Sequence, residues 1–362
     1  MTITLSIPES LKPEDGRFGS GPSKIRPEQI AALDAGATTL LGTSHRQAPV
    51  KQLVASIREG LREFFHLPEG YEVALGNGGA SAFWEIACAS LITRRAAFGT
   101  YGSFSAKFAA SAANAPFLED PVLFPGEPGT YRLPELTEGV DTYCWAHNET
   151  STGVAAPIRR VAGSREAGAL TDVYYFSPQK AFGADGGLWV AILSPEAIDR
   201  AAGVESSAHL EGAHRWVPPF LSLTTALNNS RKDQTLNTPA VATLIMMENQ
   251  IRWLNNNGGL AWATTRCAKS ASILYSWAER SEYAAPFVVD ADARSNAVVT
   301  IDLDERVQAS QVLSILRENG IVDAAGYRKL GRNQLRVGVF PSVEPADVMA
   351  FTKCVDYVVE HL

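Results

Sequence analysis

Cysteine is scarce in this chain of 362 residues, and the four that occur, Cys88, Cys144, Cys267 and Cys354, stand far apart. None makes a CxxC pair or lies near a histidine at a metal-ligand spacing, so no metal site is expected. Isolated cysteines of this kind read as thiols in a reducing compartment. No apolar run approaches the roughly 20 residues that a membrane helix needs. The opening MTITLSIPESLKPEDG lacks the basic segment and apolar stretch of a secretory signal. The expectation is a cytoplasmic protein with no membrane partner. Positive charge is not in excess either. Thirty-two Lys and Arg stand against 39 Asp and Glu, for a net charge of −7. That argues against nucleic acid as a partner, and any phosphate must be captured locally by backbone N–H groups and a few arginines. Internal repeats and low-complexity tracts are absent.

Apolar residues are plentiful, at 46%. A chain of this length and composition can bury a large core, and more than one domain is the default. The stretch up to about Pro27, rich in Pro, Gly and Ser, reads as extended. Gln47–Phe65 then carries Val50, Leu53, Val54, Ile57, Leu61 and Phe64 at helical spacing. Tyr71–Leu75 reads as a strand ending in glycines, and Ala80–Thr93 as a buried helix. Phe104–Ala113 is a further helix. Tyr143–Ala146, Val173–Ser177 and Leu188–Leu193 read as buried strands. Long helices follow Pro239 and Gly259, separated by Asn255-Asn256-Asn257-Gly258-Gly259. The tail reads strand, helix, strand, helix over Ala297–Leu303, Val307–Glu318, Leu335–Val339 and Glu344–Glu360. The expected division is an extended arm over 1–15, a three-layer α/β domain with a mostly parallel sheet over 16–257, and a small α+β domain over 258–362.

Five phrases carry candidate chemistry. In Ser177-Pro178-Gln179-Lys180 a lysine follows a buried strand, where burial lowers its pKa and favours the neutral amine that attacks an aldehyde; by spacing alone it is equally an ordinary loop lysine. Gly76-Asn77-Gly78-Gly79-Ala80-Ser81 joins a strand to a helix. Its glycines turn N–H groups toward one point and the helix N-terminus favours a phosphate, though a plain turn reads the same way. Thr43-Ser44-His45-Arg46-Gln47 stands at a helix entry. Tyr327–Arg336 holds four cations, usually a solvated face, but Arg336 alternates with apolar Leu335 and Val337 in a strand and suits a carboxylate. Ala146–Gly153 is a polar cluster after a strand, where α/β sheets gather ligands.

With these residues in view, the chain resembles the phosphoserine aminotransferase family in its actinobacterial form. The resemblance runs along nearly the whole sequence, through GRFGSGPSK (16–24), GTSHRQAPVK (42–51), LPEGYEVALGNGGASAFWE (67–85), AHNETSTG (146–153), DVYYFSPQK (172–180) and GRNQLRV (331–337). It implies a fold-type-I enzyme dependent on pyridoxal 5'-phosphate (PLP), a homodimer with a shared active site. The implied reaction moves the amino group of glutamate to 3-phosphohydroxypyruvate, giving O-phosphoserine and 2-oxoglutarate, with vitamin B6 (pyridoxine) synthesis as a second pathway. Lys180 falls on the lysine that tethers the cofactor. Gly79, Ala80 and Ser81 fall on its phosphate turn, Phe104 on the ring that stacks on the pyridine, and Thr150 and Gln179 on further cofactor contacts. Asn237 and Thr238 fall on the pair that reaches the phosphate from the neighbouring subunit. Arg336 falls on the α-carboxylate arginine, with Ser20, His45, Arg46 and Arg328 also at the substrate. Tyr327 stands where better-studied relatives have His.

One feature departs from the resemblance. PLP enzymes of this type place an acid on the pyridine nitrogen, and relatives carry it at a strand end roughly two dozen residues before the lysine. Here the sequence runs from Gly163 to Val173 with no such phrase, and a sheet strand looks excised between Leu170 and Thr171. Asp172, eight positions before Lys180, reads as a linker residue. The alternative to a working aminotransferase is therefore a catalytically impaired paralogue or deletion variant lacking that aspartate. A lyase or sulfur-transfer reaction on the same frame fits the basic set His45, Arg46, Arg328 and Arg336 less well.

Overall fold

Runs of period 2 become strands and runs of period 3.6 become helices in the computed structural model, which describes residues 5–164, 170–208 and 214–362. The strands are β1 (Glu72–Asn77), β2 (Ala96–Thr100), β3 (Val122–Pro125), β4 (Thr142–Cys144), β5 (Asn148–Glu149), β6 (Val154–Ala155), β7 (Val173–Phe176), β8 (Leu188–Leu193), β9 (Ala284–Pro286), β10 (Val298–Leu303) and β11 (Gln334–Gly338). The helices are α1 (Pro27–Gly36), α2 (Ala48–Phe65), α3 (Gly79–Ser90), α4 (Ser103–Asn114), α5 (Pro195–Ser207), α6 (Leu223–Ser230), α7 (Val241–Asn256), α8 (Gly259–Arg280), α9 (Ala309–Glu318) and α10 (Pro345–Glu360). Arg165–Ala169, within the Gly163–Val173 phrase that lacks the expected aspartate, and residues 1–4 of the expected arm lie outside the described residues.

Strand β8 explains the layering. All six of its residues are buried, so both of its faces need cover. Leu188, Val190 and Ile192 pack with Ile57 and Leu61 of α2 and Leu244 and Ile251 of α7. Trp189, Ala191 and Leu193 point the other way, onto Phe83, Ile86 and Ala87 of α3. This alternation makes β8 the middle of three layers. β8 runs antiparallel to β1 on one side and β7 on the other. A second sheet, in the order β3-β2-β4, is parallel throughout.

β4 and β7 differ from the sequence expectation in one respect. They read as buried strands, yet every residue in both is only half-buried. The cause is a missing neighbour. Among the described residues each pairs along one edge alone, β4 with β2 and β7 with β8. Residues of both line a single cavity of about 1380 Å³. The central layer is thus two three-stranded pieces, with a cavity where a strand joining them would lie.

The C-terminal sheet, in the order β11-β10-β9, is antiparallel and packs against α8, α9 and α10. Ile7 and Phe18 from the N-terminal segment are buried in that core, and the Ile7 amide donates to Asn319 Oδ1 at 2.9 Å. No described helix is long and apolar enough to cross a membrane.

Candidate active site

Lys180 sits in the turn that follows β7. Its Nζ donates to the Ser20 carbonyl at 3.0 Å and lies 5.7 Å from the centre of the Phe104 ring. Burial pulls its pKa down to about 8; the Arg336 charge lowers it further, and Glu149 opposes. More of the amine is therefore neutral near physiological pH than for an ordinary lysine, and the neutral form is the one that attacks an aldehyde.

The groups around it come from five separate parts of the chain. Gly79, Ala80 and Ser81 form the first turn of α3, where unpaired N–H groups and the helix dipole favour an anion. Gly78 and Gly79 enter that turn at φ of 114° and 71°, which side chains rarely adopt. The Ala80 amide donates to Ser177 Oγ at 2.7 Å. Phe104 lies in the first turn of α4 and packs against Tyr327, with ring centres 5.8 Å apart. Arg336 projects from β11, donates to the Thr150 carbonyl at 3.0 Å and stands over the Tyr327 ring at 5.4 Å. Burial lowers its pKa too. Ser20 Oγ lies 3.5 Å from the Arg336 carbonyl. Gln179 Oε1 and Arg336 Nε are buried with no hydrogen-bond partner. Such orphaned atoms mark a place that a polar ligand would complete.

Other expected residues stand apart. His45 and Thr238 lie together, with Nδ1 and Oγ1 3.3 Å apart, and Asn77 Nδ2 donates to Asn237 Oδ1 and to the Thr238 carbonyl at 2.9 and 2.8 Å. His45 Nε2 is buried and unpartnered, and burial, then Arg46, lowers its pKa. Arg46 and Arg328 are exposed. None of these five lines the cavity that holds Lys180.

Three positions around Lys180 and its neighbours are not singled out by the sequence. Gly21 packs against Lys180, leaving no room for a β-carbon. Ser177 Oγ holds the first turn of α3 by accepting from the Ala80 amide. Glu149, completely buried, accepts from the amides of Phe104, Ser105 and Ser151 and from Ser151 Oγ, and so fixes the end of α4 that carries Phe104. All three lie inside phrases already singled out, but none is a residue type that announces chemistry.

These features belong to a recognisable group. The sequence is 54% identical over its full length to phosphoserine aminotransferase of Rhodococcus opacus, all of which is covered, and equally so to a putative phosphoserine aminotransferase of Mycobacterium avium. The chain belongs to the phosphoserine aminotransferase family. Residues 166–331 match the class-V aminotransferase family. Two crystal structures of phosphoserine aminotransferases share the fold. That from Cytophaga hutchinsonii has a TM-score of 0.83 at 19% identity, over 95% of this chain and 99% of its own. That from Bacillus circulans subsp. alkalophilus has 0.79 at 20%, over 96% and 99%. The fold is that of the PLP-dependent fold-type-I aminotransferases, and the protein is a PLP-dependent aminotransferase. The alignment with the Rhodococcus enzyme spans 378 positions against 362 residues here, leaving about sixteen without a counterpart.

The residues present fit PLP at three points: the α3 turn for the phosphate, Lys180 for the aldehyde and Phe104 for the ring face. The ring nitrogen is different. Among the described residues, the carboxylates that line the cavity are Asp141, Asp172 and Glu196. Asp141 precedes β4, Asp172 precedes β7, and Glu196 follows β8, which runs the opposite way. All three therefore lie at the end of the sheet remote from Lys180. Asp172 is paired with Arg160 at 2.8 Å and accepts from Ser194 Oγ at 3.2 Å. Glu149, nearer the lysine, already accepts the hydrogen bonds named above.

Proposed function

We propose that the protein is a phosphoserine aminotransferase, moving the amino group of L-glutamate to 3-phosphohydroxypyruvate to give O-phospho-L-serine and 2-oxoglutarate. The observation that carries this reading is the half-buried Arg336 standing near enough to the buried Lys180 amine for its charge to lower the amine's pKa, and donating to Thr150, which lines the Lys180 cavity. PLP, when bound, supplies the aldehyde that takes up the amino group and the ring that withdraws electrons from the reacting carbon. Lys180 tethers it and then moves the proton at its Nζ as base and acid. Arg336 grips the α-carboxylate, with Ser20 beside it. Thr150 and Gln179 hold the cofactor ring and its oxygen. The tolerance for a second phosphorylated substrate, that of vitamin B6 synthesis, rests on the same anion-binding set.

His45, Arg46, Arg328, Asn237 and Thr238 serve the neighbouring subunit's site in a homodimer. Their place outside the Lys180 cavity supports this, since residues aimed at a partner's site should not face their own. The division at 15/16 and 257/258 and a cytoplasmic location complete the reading.

The test is direct. PLP added to purified protein should give the visible absorbance of the lysine-bound cofactor, and glutamate should shift it. Phosphoserine should then form from 3-phosphohydroxypyruvate. Lys180→Ala should abolish the absorbance. A wild-type protein that never shows that absorbance overturns the reading.

A further inference from the structure

The cavity beside Lys180 extends far past the cofactor residues, between β4 and β7. Cys144, Tyr174 and Tyr175 have protein on all sides, yet each keeps accessible surface. Residues deep in a domain are touched by solvent only where an internal space adjoins them. The floor and roof of that space are apolar: Phe83, Trp84 and Phe108 come from the α3 and α4 layer, and Phe65, Leu254 and Ala263 from the α2, α7 and α8 layer.

Its two remaining walls are strand edges. Among the described residues, no strand pairs with the second edge of β4 or of β7. The two strands run the same way. Both begin near α5, where Ser194 at the helix start meets Asp172 and Arg200 reaches Asp141. Both lead into the active site, β4 through Glu149 and Thr150 and β7 through Gln179 and Lys180. Backbone N–H and C=O groups that face a buried space without partners are costly. Thr171 Oγ1 donates to the Val173 carbonyl on the β7 edge; a small apolar molecule would fill the volume and offer the other edge groups no partner. An extended peptide would satisfy both edges at once.

We infer that this cavity is an acceptor site for one extended peptide strand, running parallel to β4 and β7 and apolar on both faces. The recognition chemistry is strand addition, with main-chain hydrogen bonds supplying affinity. Because helices cover both faces, the occupant is a continuous apolar run rather than an alternating one. The short flanking strands call for about six residues. Charged residues in the run are excluded by the aromatic floor and roof.

The probe is a synthetic peptide with a Val/Ile run of about six residues and a lysine at each end. The control carries proline at alternate positions, which removes N–H donors while keeping the run apolar. Added to the full-length protein, the Val/Ile peptide should slow amide hydrogen exchange at least tenfold at residues 142–144 and 173–176 and raise the Tm, and the proline peptide should do neither. Cys144→Trp, which fills the space from the β4 side, should abolish the protection. Should that variant not fold, competition answers the same question: the Val/Ile peptide should displace an apolar dye and the proline peptide should not. No protection, or equal binding of both peptides, overturns the proposal and leaves an apolar pocket only. PLP absorbance is followed in the same samples. Strand protection without cofactor binding keeps this inference and removes the proposed activity; cofactor binding without protection does the reverse.

Discussion

Lys180 and Gly21 share one space. A β-carbon on Gly21 would overlap the lysine Nζ, and the glycine φ of +129° is one that side chains rarely adopt. The backbone of the GSGPS segment therefore closes directly over the Lys180 amine. Gly21→Ala should displace Lys180 while leaving the distant cores intact. The expected result is a folded protein by circular dichroism, with PLP retention reduced at least tenfold. Unchanged retention would show that the lysine has another route to the cofactor.

The depressed pKa of Lys180 sets a pH dependence. Deprotonation is needed for attachment, so the rate of PLP uptake by cofactor-free protein should rise through about pH 8 rather than near 10.5. Arg336 is one of the causes, because its positive charge disfavours the protonated amine. Removing that charge must therefore raise the midpoint. Arg336→Gln should move it upward, and stopped-flow absorbance against pH reads the shift. A midpoint unmoved by this change would leave burial as the sole cause.

Glu149 holds the start of α4 through the Phe104 and Ser105 amides and its own turn through the Ser151 amide and hydroxyl. Glu149→Ala removes the acceptor and leaves those buried donors unpaired, at a cost of about 3 kcal/mol. Tm should fall, and PLP affinity should fall with it, because Phe104 is anchored by the same turn. Glu149→Gln keeps one acceptor oxygen and should recover part of the Tm. Loss of stability with undiminished PLP affinity would separate the helix end from the ring it presents.

How much of this was legible in the sequence depends on whether a feature is local. Arg336 could be placed because alternation in a strand is local, and Lys180 because the phrases around it are long. Glu149 and Ser177 do not stand out, since their work lies in accepting amides from residues 45 and 97 positions away, respectively. His45 and Arg46 were legible as charges, but their separation from the Lys180 cavity is a matter of tertiary placement. The half-burial of β4 and β7 was illegible for a related reason. Their residue types specify burial on two faces, and the lack of a neighbour among the described residues leaves Tyr175 and Cys144 touching a cavity.

That absence leads to the sharpest prediction. The relatives carry about sixteen positions that this chain lacks, and the two pieces of the central layer part between β4 and β7. Inserting the corresponding Rhodococcus segment between Leu170 and Thr171 should place a strand against both free edges. Pairing those edges and burying apolar surface on both faces should raise the Tm by several degrees. If the segment also brings an acid to the pyridine nitrogen, kcat should rise with little change in KM, because that proton acts on the reacting complex rather than on binding. Substituting the inserted acid by its amide should then remove the gain in kcat and keep the gain in Tm. An insertion that raises neither would mean that the cavity is not the place of the missing strand. One that raises Tm alone would mean that the ring nitrogen is served by a group other than the inserted acid.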